Sequence, residues 1–125
     1  MKKLTDLELE IMNVIWEKGE ATVKEVQREL SKRRPLAYTT ILTVLSRLAQ
    51  KGVLEFRKVG KAHVFKAKMS KNVVARSRLS DLIDKLFGGS VSSMVAHLLE
   101  TSDLRKQELL DIKRILDEKL KGGKG

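Results

Sequence analysis

The chain has 125 residues, enough for one compact unit or two small ones, and its 42% hydrophobic and 34% charged residues allow both a core and a soluble surface. It has no cysteine, which excludes disulfides, thiolate chemistry and cysteine metal sites and fits a reducing compartment. The net charge of +10 is unevenly spread: Arg28 to Lys68 holds eleven Lys/Arg against only Glu29 and Glu55, the electrostatic footprint of a polyanion binder rather than of an evenly wetted surface.

The opening MKKLTDLELE has two lysines followed at once by acids, with no apolar stretch behind them, so no signal peptide is expected. No run approaches the ~18 apolar residues of a membrane helix. The expected location is the cytoplasm, without membrane insertion.

A first helix is announced by LTDLE. Thr5 and Glu8 have capping-box spacing, and Leu4 and Leu9 stand at staple positions. Leu7, Ile11, Val14 and Ile15 recur at helical spacing, and Gly19 is a plausible stop. Trp16 reads as core or interface packing rather than a ligand platform. Thr22 and Glu25 repeat the capping box ahead of a second helix with Val23, Val26 and Leu30 as its stripe. Pro35, the only proline, restricts the residue before it and breaks the chain near Arg34.

The third helix is predicted from Tyr38 to Lys51, ending at Gly52. Ile41, Val44, Leu45 and Leu48 must face inward. Thr39, Thr43, Ser46 and Gln50 then point outward, with Thr40 and Arg47 on one shoulder. The period next changes to that of strands. VLEFRKV and AHVFKAK, joined by Gly60-Lys61, read as a β-hairpin carrying Arg57, Lys58, Lys61 and His63 at its tip and flanks.

The remainder reads as helical. Ser70 opens a long helix to about Phe87, with Leu79, Leu82, Ile83 and Leu86 in line and Gly88-Gly89 as its stop. Ser90 caps a shorter helix bearing Val91, Met94, Val95, Leu98 and Leu99. Ser102 with Asp103 opens a last helix, with Leu109, Ile112, Leu116 and Leu120 in line, and the KGGKG tail is expected to fray.

Three helices and a hairpin are the order of a winged helix-turn-helix. The fold class is therefore mainly α with a small β-hairpin, a winged DNA-binding domain over 1–70 and a helical dimerisation domain over 71–125. In such a motif the second helix enters the major groove, which is ~12 Å wide. Short, neutral, hydrogen-bonding side chains let a helix approach base edges, and flanking cations meet phosphates. Thr39, Thr43 and Ser46, with Thr40 beside them, are candidates for base contacts, and Arg47 for guanine or phosphate. Lys32, Arg33 and Arg34 before the helix, and Lys58 and Lys61 on the hairpin, are candidates for phosphate or the adjacent minor groove. Some fifty residues from Lys71 onward cannot enclose their own stripes well. Leu79, Leu82, Leu86, Leu98, Leu109, Ile112 and Leu116 are candidates for the interface with a second copy.

Other chemistry finds little support. His63 and His97 lie in different elements without metal-ligand spacing, and there is no P-loop, dinucleotide fingerprint or nucleophile elbow. No catalytic residue, metal or cofactor is expected. Stacking on single strands needs exposed aromatics. Of five aromatic residues here, Phe56, Phe65 and Phe87 sit on apolar patterns. A sequence-indifferent architectural DNA-binding protein and a protein-interaction module remain the rival readings.

YTTILTVLSRLAQKG with the G-K-A hairpin tip resembles the recognition helix and wing of the penicillinase-repressor (BlaI/MecI) family, and LTDLELEIMNVIW and VKEVQREL match it too. The resemblance implies a homodimeric repressor on a palindromic operator. Thr39, Thr40, Thr43 and Arg47 fall on its recognition helix and Lys61 on its wing. It also implies a protease, membrane-linked or cytoplasmic, as a partner that cleaves the dimerisation part. In the best-studied members the cleaved bond is Asn–Phe, where this chain has His97–Leu98. The cysteine motif of the copper-responsive branch is absent, so the inducing signal stays open.

Overall fold

The structure, a computed structural model, describes residues 3–122. Along these the elements run α1 (Asp6–Lys18), β1 (Glu20–Thr22), α2 (Val23–Leu30), α3 (Tyr38–Gln50), β2 (Leu54–Val59), β3 (Ala62–Ala67), α4 (Lys71–Phe87), α5 (Val91–Thr101) and α6 (Lys106–Lys121). The order from α1 to β3 is that of a winged helix-turn-helix.

Local chemistry accounts for most boundaries. Thr5 and Thr22 both close capping boxes: each hydroxyl accepts from the backbone N–H three residues on, and Glu8 and Glu25 accept in return from the cap residue's N–H. These bonds and the neighbouring cations hold the Glu25 carboxyl below its usual range. Gly52, at φ +80°, ends α3 in a Schellman motif. Its N–H donates to the Ala49 carbonyl at 3.1 Å, and the Val53 N–H donates to that of Leu48 at 3.0 Å.

The core lies among α1, α2, α3 and the sheet. Ile11, Met12, Ile15, Val26, Ile41, Leu45, Leu48, Val53 and Leu54 are fully buried in it. The inward stripe expected for α3 is buried at every position. The sheet is antiparallel in the order β1-β3-β2. In the hairpin Val59 stands opposite Ala62 and Phe56 opposite Phe65, around the two-residue loop Gly60-Lys61. Gly60 takes φ +61°, the conformation both tight hairpin turns require at this position. The sequence suggests only the two hairpin strands; β1, hydrogen-bonded to β3, makes the sheet three-stranded.

By packing, the chain divides into two compact units, the first ending at Arg78 and the second beginning at Leu79. The start of α4 belongs to the first, where Val74 is 2% exposed. In the second, α5 is capped by Ser90, whose hydroxyl accepts from the Ser93 N–H. Ser102 closes α5 instead of opening α6, and α6 starts after Arg105, without a side-chain cap. Asp103 therefore lies in the connection, which runs on to Arg105, the extended residue before α6. Of the KGGKG tail expected to fray, Lys121 ends α6 and Gly122 caps it, while Gly123–Gly125 lie outside the described residues.

Candidate nucleic-acid interface

The helix α3 presents two contrasting faces. Inward, it is anchored by aliphatic side chains. Outward, Thr39, Thr40, Thr43, Ser46, Arg47 and Gln50 are all exposed. The helical period sends Thr40 and Arg47 to one shoulder and Ser46 toward the other, with Gln50 near the middle. Thr43 donates its hydroxyl proton to the Thr39 carbonyl at 2.9 Å. No acid lies in α3, so nothing on it repels a polyanion.

The turn before α3 is held from α2. The Gln27 side-chain amide donates to the Leu36 carbonyl at 3.0 Å, and the Arg33 and Arg34 N–H groups both donate to the Leu30 carbonyl. This sets Lys32, Arg33 and Arg34 on the surface ahead of the helix. The three differ in state. Lys32 pairs with Glu29 at 3.0 Å, which keeps the Glu29 carboxyl below its usual range. Arg34 pairs with Glu10 of α1 at 3.1 Å. Arg33 has no carboxylate partner among the described residues.

The hairpin splits its cations between its faces. Arg57 forms a bidentate bridge to Glu20 of β1, at 2.7 and 3.0 Å. The hydrogen bonds lower the Glu20 carboxyl and raise the Arg57 guanidinium. Lys58 and Lys61 carry no such partner among the described residues, and Lys61 sits in the loop at the tip. Arg57, on the opposite face from Phe56 and Lys58, is spoken for within the sheet.

Between the second shoulder of α3 and the hairpin runs a groove of about 560 Å³, lined by Leu42, Ser46, Ala49, Gln50, Phe56, His63 and Phe65. Phe56 is 56% exposed, although its apolar pattern suggested burial like that of Phe65 at 2%. β2 is the edge strand, so Phe56 stands at the margin of the sheet, while Phe65 lies on the central strand β3. The Phe56 ring meets His63 edge-on at 5.3 Å and Phe65 at 5.7 Å.

The C-terminal end of α3 is fixed by a pair that the sequence alone does not suggest. Glu8 is fully buried, and Lys51, the C-cap of α3, donates to both its carboxylate oxygens at 2.7 and 2.9 Å. The partners are 43 residues apart. Burial pushes the Glu8 carboxyl up; the hydrogen bonds from Lys51 and Thr5 and the Lys51 charge outweigh it and leave it below the ordinary value.

Among the described residues no group of His, Asp and Glu could hold a metal ion, and no helix is long and apolar enough to cross a membrane. A model of the penicillinase repressor family matches residues 4–118. The chain belongs to this family. The penicillinase repressor of Bacillus licheniformis is 33% identical over 121 residues, 94% of each chain. The DNA-binding domain of the repressor BlaI, solved in solution, is 39% identical over 57% of this chain and 90% of its own, with a TM-score of 0.51. Bacillus licheniformis BlaI, solved as a monomeric form in complex with the blaP half-operator, is 37% identical over 57% of this chain and 87% of its own, with a TM-score of 0.50. The penicillinase repressor match extends past Arg78, into the second compact unit.

Proposed function

We propose that this chain is a sequence-specific transcriptional repressor that binds double-stranded DNA as a homodimer on a palindromic operator. The observation that carries the reading is α3, whose inner face is anchored while its outer face of hydroxyls is exposed. In this reading α3 lies in the major groove. Thr39, Thr40, Thr43 and Ser46 read base edges there, Arg47 reaches a guanine or a phosphate, and Arg33, Lys58 and Lys61 meet phosphates, joined by Lys32 and Arg34 once these exchange their carboxylates. The relative bound to a half-operator supports a duplex as the partner. The part up to about residue 70 is the reading head and the rest holds two heads together, in the cytoplasm, with no enzymatic role.

Dimerisation draws support from the second half. Leu79, Leu82, Leu86, Leu98, Leu109 and Leu116 are each 41–69% exposed, and Ile112 is half-buried. That much aliphatic surface on so few residues needs a cover. Two heads would then span half-sites ~34–36 Å apart, or a multiple of that. A protease partner rests on family resemblance alone. The bond at the matching position, His97–Leu98, lies inside α5, where the Thr101 hydroxyl donates to the His97 carbonyl. Cleavage there requires local opening of the helix.

The test is a gel shift with duplexes selected from a random pool against scrambled ones. The expected specificity ratio is ~10³ or more, and a ratio below about ten overturns the reading. Thr43→Glu is expected to abolish binding while the dimer persists in sedimentation, because the added carboxylate confronts base-edge acceptors and phosphates. Persistent binding by that variant removes α3 from the interface.

A further inference from the structure

Apolar packing of α1 on α3, through Ile11, Met12, Ile15, Ile41, Leu45 and Leu48, holds the two helices together but is non-directional. Ridges-into-grooves packing of this kind sets a crossing angle only to within about 15–20°. The Glu8–Lys51 pair is different. Two short hydrogen bonds join a fully buried carboxylate to an ammonium whose side chain is only 14% exposed, and both partners sit at helix ends. Glu8 is further locked by its bond from the Thr5 N–H at 2.8 Å. The segment that carries it is pinned from α4, where Arg78 donates to the Leu4 carbonyl at 2.8 Å. The ammonium also faces the Lys3 carbonyl at 3.4 Å and lies at the negative end of the α3 dipole. A buried ion pair is seldom the most stabilising choice, since apolar replacements of similar volume are often as stable. What it adds is geometry.

We propose that the Glu8–Lys51 pair is the positioning element of the recognition helix: it fixes the tilt of α3 against α1, and through that tilt the discrimination between operator and other duplexes, without touching DNA. The inference rests on the duplex-reading role proposed above. Base contacts need side chains placed within about 0.5 Å and 10–20°. Phosphate contacts by long cations tolerate more, and they supply most of the non-specific binding.

The test uses the full chain with both partners neutralised, Glu8→Gln with Lys51→Met. Gln at the third helical position still serves the capping box, and Met keeps most of the lysine's volume. Three quantities are read: affinity for a duplex selected by the parent chain from a random pool, affinity for a scrambled duplex of equal length, and Tm. The expected result is about a tenfold loss on the selected duplex, less than a twofold change on the scrambled one, and a Tm within a few degrees of the parent's. Unchanged affinity for both duplexes overturns the proposal. Equal losses on both also overturn it, because they make Lys51 a phosphate contact. Should the double variant melt early, Lys51→Arg serves instead: an altered base preference at retained Tm supports the proposal, and an unchanged preference overturns it. A parent chain with no duplex preference overturns the function and this inference together; a preference that survives in the variant overturns this inference alone.

Discussion

Thr43 has one hydroxyl proton, and the Thr39 carbonyl takes it. Back-bonding of this kind is common for threonine in helices. It leaves the methyl group and the oxygen lone pairs for a base edge, so a thymine methyl is a better match for Thr43 than an acceptor is. Thr43→Val, which keeps a methyl there, is then expected to hold operator affinity within about threefold. Thr43→Ser, which loses it, should cost about 1 kcal/mol, near the lower end for a base contact. Both are measured by fluorescence anisotropy, and the reverse order of effects assigns the hydroxyl the leading role. Glu8 supports a different kind of prediction. Its folded pKa lies below the ordinary 4.5. A carboxylate lowered on folding stabilises the fold above its unfolded pKa and loses that contribution as pH falls through the folded one. Glu8→Gln alone strands a largely buried Lys51 ammonium. It should cost roughly 2 kcal/mol near neutral pH, short of the ~3–5 of fully enclosed pairs. The Tm gap to the parent should close as pH drops below about 4.5. A gap of constant size down to pH ~2 rules out the charge as the cause.

At the scale of elements, legibility follows the reach of the interactions. Both capping boxes, the glycine stop of α3, the hairpin turn and the inward stripe of α3 depend on residues three to five apart, and the sequence shows them all. The strand β1 does not show. It is three residues long, only Ala21 of it is buried, and its partners lie in β3, Ala21 opposite Phe65. Exposure of Phe56 is hidden for a similar reason, since strand order decides which strand stands at the margin of the sheet. The Glu8–Lys51 and Arg57–Glu20 pairs bridge elements distant in sequence, and with them go the helix's anchoring and the availability of Arg57. Ser102-Asp103 misleads because a capping residue type is not a cap until its backbone starts a helix. The element with most at stake is α6, where Leu109, Leu110, Ile115, Leu116 and Leu120 are 44–77% exposed. Leu116→Asp on so exposed a position should hardly disturb the single chain. In a dimer it buries an unpaired charge and should weaken association by ~2 kcal/mol or more, at least about thirtyfold. Light scattering reads the mass, and operator affinity should fall with it. An unchanged mass removes Leu116 from the interface.

For the whole molecule, the eleven cations between Arg28 and Lys68 overstate what a duplex can feel. Lys32, Arg34, Lys51 and Arg57 are each already paired with a carboxylate. Among the cations proposed to face DNA, Arg33, Arg47, Lys58 and Lys61 have no such partner among the described residues. If these four meet phosphates in each half of a dimer while Lys32 and Arg34 keep their carboxylates, eight counterions leave, and log K should fall with log salt at a slope of about −7. All the cations of the basic zone acting together would give a slope more than twice as steep, which is what a sequence-indifferent architectural protein would exploit. Lys61 decides whether the wing takes part. It lies at the hairpin tip, contributes nothing to the core and pairs with no acid among the described residues, so its loss should leave the fold alone. Lys61→Ala should then flatten the slope by about 2, one phosphate per protomer. It should weaken selected and scrambled duplexes alike, since a phosphate contact carries no sequence information. Salt titrations of both duplexes measure this directly. A slope that stays near −7 takes the wing off the phosphates, and a loss confined to the selected duplex makes Lys61 a reader of bases.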